Sequence, residues 1–327
     1  MSHLVSIIIP TFNSVNSLRE TLNSISNQTY IKWESIIVDD GSTDDTVQIL
    51  NEYVSKDFRF KWYKRPNSKQ KGPSSSRNYG IEKANGEFVL FLDSDDLLAA
   101  NCIENRLAFA NLFPDFDFWV FKMNIFKNNA HEKIELFNSL PSFNDNENIF
   151  YLDLFLRGKF PFVVTCPFWK IESLRKLNGF DERMRMLEDP DLHTRAYKVG
   201  MRSKTAVISE PDCFYLYVND SNREQKSKEY ASKAAKTNFY FLNKNWIKDS
   251  ESVKYNYKRI FNLYVFTNPS WFMFSKMIVL GWKNDLLQIK HVCLALIICL
   301  YHLLSLNKVK GLGYTKLRNQ FNSRFNA

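Results

Sequence analysis

Two acidic clusters carry residue types and spacing that could do chemistry. The first, Asp93-Ser94-Asp95-Asp96, closes an apolar run from Phe88 to Leu92. Carboxylates spaced Asp-x-Asp can hold a hard divalent cation through oxygen and present it to a phosphate. The second, Glu188-Asp189-Pro190-Asp191, stands just before a short helical pattern from Leu192 to Val199. A carboxylate there can take a proton from an attacking hydroxyl as a general base. Both clusters also fit plain helix capping, because an N-cap Asp accepts from the free N–H groups of a first turn. Taken singly, neither spacing separates capping from catalysis.

Positioning such clusters requires a scaffold, and the first ninety residues supply one. Val5 to Ile9 is a β-branched apolar run, and Pro10, which cannot donate to a ladder, is expected to end the strand. Val15, Leu18, Leu22 and Ile25 then recur at helical spacing. Ser35 to Val38 is a second apolar run that also stops on acids, Asp39 and Asp40, and Phe60 to Lys64 reads as a third strand. A short helix through Arg77 to about Ala84 and a turn at Asn85-Gly86 lead into the run at Phe88. Alternating strands and helices predict an α/β fold with a mostly parallel sheet. Ligands bind such sheets at the carboxyl ends of the strands, where Asp39 and the Asp93 cluster fall. There is no Gly-x-Gly-x-x-Gly after the first strand and no Walker loop, so dinucleotide dehydrogenases and P-loop NTPases are disfavoured.

The 327 residues suffice for one catalytic domain and an appendage. The net charge of +9 is concentrated at the C-terminus, where Lys283 to Ala327 hold seven Lys or Arg against one Asp. The five cysteines are scattered and never spaced Cys-x-x-Cys, which argues against a zinc site and suits a reducing compartment. The N-terminus starts directly on a strand-like run, with no secretory pattern, so a cytoplasmic location is expected.

Four stretches in order, VSIIIPTFNS from Val5, SIIVDDGSTDDT from Ser35, SSSRNYGIEKANGEFVLFLDSDD from Ser74 and LEDPDLHTRAYKVG from Leu187, resemble the family 2 glycosyltransferases. The resemblance spans roughly residues 4 to 210. It implies a GT-A fold and an inverting, metal-dependent transfer of sugar from a nucleotide diphosphate, most commonly UDP, to a hydroxyl of a glycan or lipid-linked saccharide in surface polysaccharide synthesis. Carried over by position, it places Pro10, Thr11 and Phe12 along the nucleotide pocket and Asp39 at the uracil. Arg77 would meet the base or phosphates, Asp93 and Ser94 the ribose side, and Asp95 the divalent metal, Mn²⁺ or Mg²⁺. Glu188 and Asp189 form the catalytic pair, with Asp189 as base. Many GT-A enzymes supply a later His to the metal, and FYLYVNDSNREQ from Phe214 has none. Either Asn219 or Asp220 substitutes, or Asp95 relies on phosphate and water. The segment Phe162 to Lys170 is expected to form part of the acceptor side. A nucleotidyltransferase and a non-catalytic nucleotide-sugar scaffold are the competing classes.

Residues 1–220 are thus expected to form the transferase domain, and 221–327 a helical, aromatic-rich and basic region. Its apolar stretch from Val292 to Leu306 falls short of the roughly 20 residues a membrane-spanning helix needs. Aromatic and basic clustering suits an anionic membrane surface; a packed helical bundle or a homo-oligomer contact accounts for the same composition. The expected location is peripheral on the cytoplasmic face, with no nucleic-acid partner.

Overall fold

The computed structural model describes residues 3–127, 129–136, 147–206, 210–216, 223–265, 271–304, 307 and 313–325. The chain divides into two compact units, residues 1–155 with 160–219, and residues 156–159 with 220–327. In the first unit β1 (Val5–Thr11), α1 (Leu18–Ser26), β2 (Trp33–Asp39), α2 (Thr46–Lys56), β3 (Phe60–Lys64), α3 (Pro73–Lys83) and β4 (Phe88–Phe91) follow in alternation. Next come β5 (Leu97–Leu98), α4 (Cys102–Leu112), β6 (Phe118–Val120), β7 (Met123–Lys127), β8 (Asn129–Leu136) and α5 (Glu147–Leu156). The unit closes with β9 (Pro167–Lys170), α6 (Ile171–Lys176), α7 (Glu188–Lys198), β10 (Ser203–Thr205) and β11 (Cys213–Leu216).

A seven-stranded sheet has the order β10-β6-β9-β4-β1-β2-β3, and a four-stranded sheet the order β5-β11-β7-β8. All seven residues of β2 and all four of β4 are buried, as continuous apolar strands covered on both faces must be. α1 turns Leu18, Leu22 and Ile25 into the core.

The first strand does not stop at Pro10. It continues to Thr11, with Pro10 opposite Val38 and Thr11 opposite Asp39. Ile8 accepts from Leu92 N–H, so Ile8 and, two residues on, Pro10 face the β4 side. There β4 has ended opposite Ile8, and the missing N–H costs no ladder bond.

Phe162 to Lys170 is not an acceptor loop throughout. Its last four residues are β9, antiparallel to both β4 and β6 in the middle of the sheet. Trp169 is fully buried against Phe118, ring centroids 4.0 Å apart.

α3 rests directly on β1. A Cβ on Gly80 would stand 2.3 Å from Ile8 Cγ2, so only glycine permits this approach. Arg77, three residues earlier, is thereby held over the carboxyl end of the sheet.

The second unit is helical: α8 (Arg223–Lys244), α9 (Glu251–Ile260) with a π-helical turn Phe261–Val265, α10 (Trp271–Lys283), α11 (Ile289–Leu303) and α12 (Tyr314–Asn322). Ser250 Oγ caps α9 by accepting from Val253 N–H. Buried Tyr257 ties α9 to α10 by donating to the Met277 carbonyl at 2.6 Å. Among the described residues no helix is long and apolar enough to cross a membrane.

Candidate active site

Three strand ends and two helix starts converge on a cleft of about 350 Å³. β1 contributes Pro10, Thr11 and Phe12, and the residue after β2 contributes Asp40. The turn after β4 brings Asp93, Ser94 and Asp95; α3 brings Pro73, Ser76 and Arg77; α7 brings Glu188. The two acidic clusters of the sequence are therefore neighbours, joined by one guanidinium.

Arg77 is that joint. It is 4% exposed; its Nη2 donates to Asp93 Oδ1 at 2.6 Å and its Nη1 to Glu188 Oε1 at 3.0 Å. The Phe180 ring lies 5.4 Å from its Cζ. Burial disfavours the charge, but Asp93, Glu188 and Asp189 together outweigh burial and hold the guanidinium pKa above its usual value. Its Nε–H has no partner among the described residues, and neither have the buried hydroxyls of Thr11 and Ser76 on the same cleft. Buried polar groups are nearly always paired, so these three are exceptions among residues that line the cleft.

The helix that carries the second cluster begins earlier than its pattern suggests. α7 starts at Glu188 rather than Leu192, so Glu188, Asp189 and Asp191 all lie in its first turn, at the positive end of the helix dipole. Pro190 costs nothing there, because first-turn N–H groups have no intrahelical acceptor. Asp189 is half-buried. Burial, then the Glu188 and Asp93 charges, push its pKa up to about 7 against the opposing pull of Arg77. Asp95, at the open side of the cleft, is raised as well, by burial of its carboxylate and then by Asp93.

The pair is held rigidly. Leu187, the residue before Glu188, sits in the left-handed region at φ 61°, a conformation that costs a branched residue about 1–3 kcal/mol. Surrounding bonds hold the segment in place. Arg195 reaches from α7 to Asp191 Oδ2 (2.8 Å) and to the carbonyls of Leu177 (2.7 Å) and Gly179 (2.6 Å). From the other side Asn78 brackets Phe180, donating to its carbonyl at 2.9 Å and accepting from its N–H at 2.7 Å. Ser74 Oγ donates to the Met184 carbonyl at 2.8 Å. One face of α3, at positions 74, 77 and 78, thus positions both the segment before α7 and Glu188.

Asp39 ends β2. It is buried, and its carboxylate accepts from the N–H groups of Gly41 and Ser42. Asp40 lines the cleft instead, with its carboxylate paired to Arg65 Nε. Ser94 is engaged with Ser14 through its hydroxyl at 2.8 Å and accepts from Ser17 Oγ through its carbonyl. Phe12 is 44% exposed at the rim, and Lys71 Nζ stands 3.9 Å from its ring centroid. His193 is a packing residue, fully buried against Phe162 and Trp169. Asn219 and Asp220 lie outside the described residues. The sequence reading missed Phe180, Asn78 and Arg195; the only local signal was Gly179, whose φ of 61° marks a turn.

Asp95 and Asp93 are hard oxygen donors beside an open cleft. Among the described residues no three His, Cys, Asp or Glu side chains are disposed to hold a metal by themselves. That arrangement fits Mg²⁺-like ions, which take one or two carboxylates and complete their shell with phosphate and water.

The mostly parallel sheet, with acids at the carboxyl ends of β2 and β4 and a Glu-Asp pair facing them, defines a GT-A fold. Residues 6–171 match the family model described as Glycosyl transferase family 2, and the chain belongs to that family of glycosyltransferases. It is 39% identical over 107 residues to the Campylobacter jejuni GalNAc(5)-diNAcBac-PP-undecaprenol beta-1,3-glucosyltransferase, covering 33% of this chain and 34% of that one. Staphylococcus aureus TarS 1-349, solved in complex with UDP-GlcNAc, superposes with a TM-score of 0.63 at 18% identity, over 98% of this chain and 91% of that one. The Pyrobaculum calidifontis mannosyltransferase PcManGT, solved with GDP-Man and Mn²⁺, gives 0.54 at 16% identity over 99% and 85%. The chain spans less than half the length of the curated relatives it matches.

Proposed function

We propose that the chain transfers a sugar from a nucleotide-diphosphate donor, a UDP-sugar, to a hydroxyl of a glycan or lipid-linked saccharide in surface polysaccharide synthesis, with inversion at the anomeric carbon. One observation carries this reading: a buried guanidinium bridges Asp93 at the strand end and Glu188 of the Glu-Asp pair in a single cleft. The UDP-GlcNAc held by the TarS neighbour and the undecaprenol-linked substrate in the Campylobacter relative's name support the donor and acceptor classes.

In this mechanism Arg77, held between Asp93 and Glu188, draws the donor's negative charge toward the sheet. A divalent cation, Mn²⁺ or Mg²⁺, held by Asp95 with help from Asp93, would neutralise charge on the departing diphosphate. Asp189 takes the proton of the acceptor hydroxyl as that oxygen bonds to the anomeric carbon and the carbon–phosphate-oxygen bond breaks. A carboxylate raised to about 7 is matched to this task, because it is a stronger base than a free carboxylate and still half-ionised at neutral pH. Glu188 keeps Arg77 in register with the base.

The test is nucleotide release from a panel of UDP- and GDP-sugars, with and without Mn²⁺ or Mg²⁺, in the presence of membrane extract as acceptor. One donor should be turned over, metal-dependently, and Asp189→Asn should lower turnover about 100- to 10,000-fold while donor binding persists. Donor binding without release under every condition, or full activity of Asp189→Asn, overturns the assignment.

A further inference from the structure

Helices α10 and α11 of the second unit each turn a large apolar face to solvent. On α10, Trp271, Phe272, Val279 and Trp282 are each more than half exposed. On α11 and its C-cap Leu304, Ile289, Ile297, Leu300 and Leu304 are 42% to 65% exposed, at positions i, i+8, i+11 and i+15, with exposed Cys293 completing the stripe at i+4. That spacing is one face of a helix about 22 Å long. Its opposite side, Ala295, Ile298 and Cys299, is already packed into the unit. Exposed apolar stripes of this size mark an interaction surface.

The charges around these faces choose the partner. Exposed Lys276, Lys283 and Lys290 stand beside them, and Asp285 is the single acid between Trp271 and Ala327, against eight Lys or Arg. A second copy docked across a two-fold axis would set these like-charged faces against themselves. An acidic, apolar surface is complementary to them, and exposed Trp residues with lysine ammonium groups suit the headgroup level of a bilayer. A cavity of about 480 Å³ lined by Lys290, His291, Leu294, Ile297, Gln320 and Ser323 lies against the same helix, placing a cationic side chain next to apolar carbon.

We infer that the exposed faces of α10 and α11 dock the chain on an anionic lipid surface. This rests on the second unit alone and stands or falls independently of the transferase reading.

The experiment is vesicle sedimentation of the full chain, comparing phosphatidylglycerol/phosphatidylcholine with phosphatidylcholine alone, at low and high salt. The chain should pellet with the anionic vesicles and be released by salt. Lys283→Glu with Lys290→Glu should weaken binding by at least fivefold per lysine, the loss expected for one basic residue at such a surface. Ile297→Asp with Leu300→Asp should abolish binding, while the far-UV circular dichroism and melting temperature of both variants stay at wild-type values. Equal binding to neutral vesicles, or indifference to both pairs of substitutions, overturns the proposal. So does sedimentation velocity showing a dimer that Ile297→Asp with Leu300→Asp dissolves, without vesicle binding.

Discussion

Arg77 and Arg106 are both buried guanidinium groups of the same α/β unit, yet their hydrogen bonds are spent differently. Arg106, on α4, is fully buried and donates both arms of its fork to Asp212, at 2.8 and 2.6 Å, and its remaining nitrogen to the Thr165 carbonyl at 2.8 Å. Arg77 divides its fork between two carboxylates that both line an open cleft, and leaves Nε without a partner. A charge that only holds a fold together is best saturated, because any unmet donor in the interior costs free energy. A charge that must receive a ligand keeps part of its capacity unspent and stores that cost until the ligand arrives. Buried donors without a partner also occur away from the cleft, at Trp33 and Trp169, so the contrast singles out Arg77 only together with the cleft that it lines.

The contrast can be broken in three ways. The largest effect is expected at the saturated pair: Arg106→Ala should lose about 3–5 kcal/mol in urea denaturation, because Asp212 is left buried and unpaired. Replacing both partners, Arg106→Met with Asp212→Leu, should restore most of it, and a neutral single substitution would show that Arg106 is not structural.

Arg77→Met should act the other way round. Donor affinity, measured by calorimetry, should fall about 10- to 100-fold, the worth of one charged hydrogen bond of about 1.5–3 kcal/mol. The stability loss should stay well below that of Arg106→Ala, since Asp93 and Glu188 keep access to water. A larger loss of stability than of affinity would erase the distinction.

The last effect concerns pH. Asp189 has a folded-state pKa of about 7, above the roughly 3.9 of an unfolded Asp. The native state therefore binds the extra proton between these values, and this group's contribution to stability declines as pH rises from about 4 to 7. Turnover should rise over the upper part of that window as the base ionises. Asp189→Asn should melt higher than wild type at pH 8 and equally at pH 4; a variant that melts lower at pH 8 would contradict the burial of that charge.

Much of the frame was legible in the sequence because it rests on local pattern. The apolar runs at Val5, Ser35 and Phe88 are buried strands, and the acids that follow the last two stand at the carboxyl edge. Other features escaped for physical reasons. β9 pairs with β4, about 80 residues earlier in the chain, and nothing in PFWK distinguishes a central antiparallel strand from a loop edge. Asp39 and Asp40 are adjacent, so which of them meets the cleft depends on the turn that Gly41 and Ser42 impose through hydrogen bonds to Asp39.

The sequence by itself determined the alternation of strands and helices, the family, and the two acidic clusters, since side-chain periodicity and strand-end acids are properties of short stretches. Only the tertiary structure decided that the clusters share one cleft, that Arg77 joins them across 111 residues of chain, and that Arg195 and Asn78 hold the second cluster in place. Those facts depend on contacts between segments far apart in sequence. Which donors remain unspent follows from that packing, because a hydrogen bond is saturated or left open only when its neighbours have been fixed.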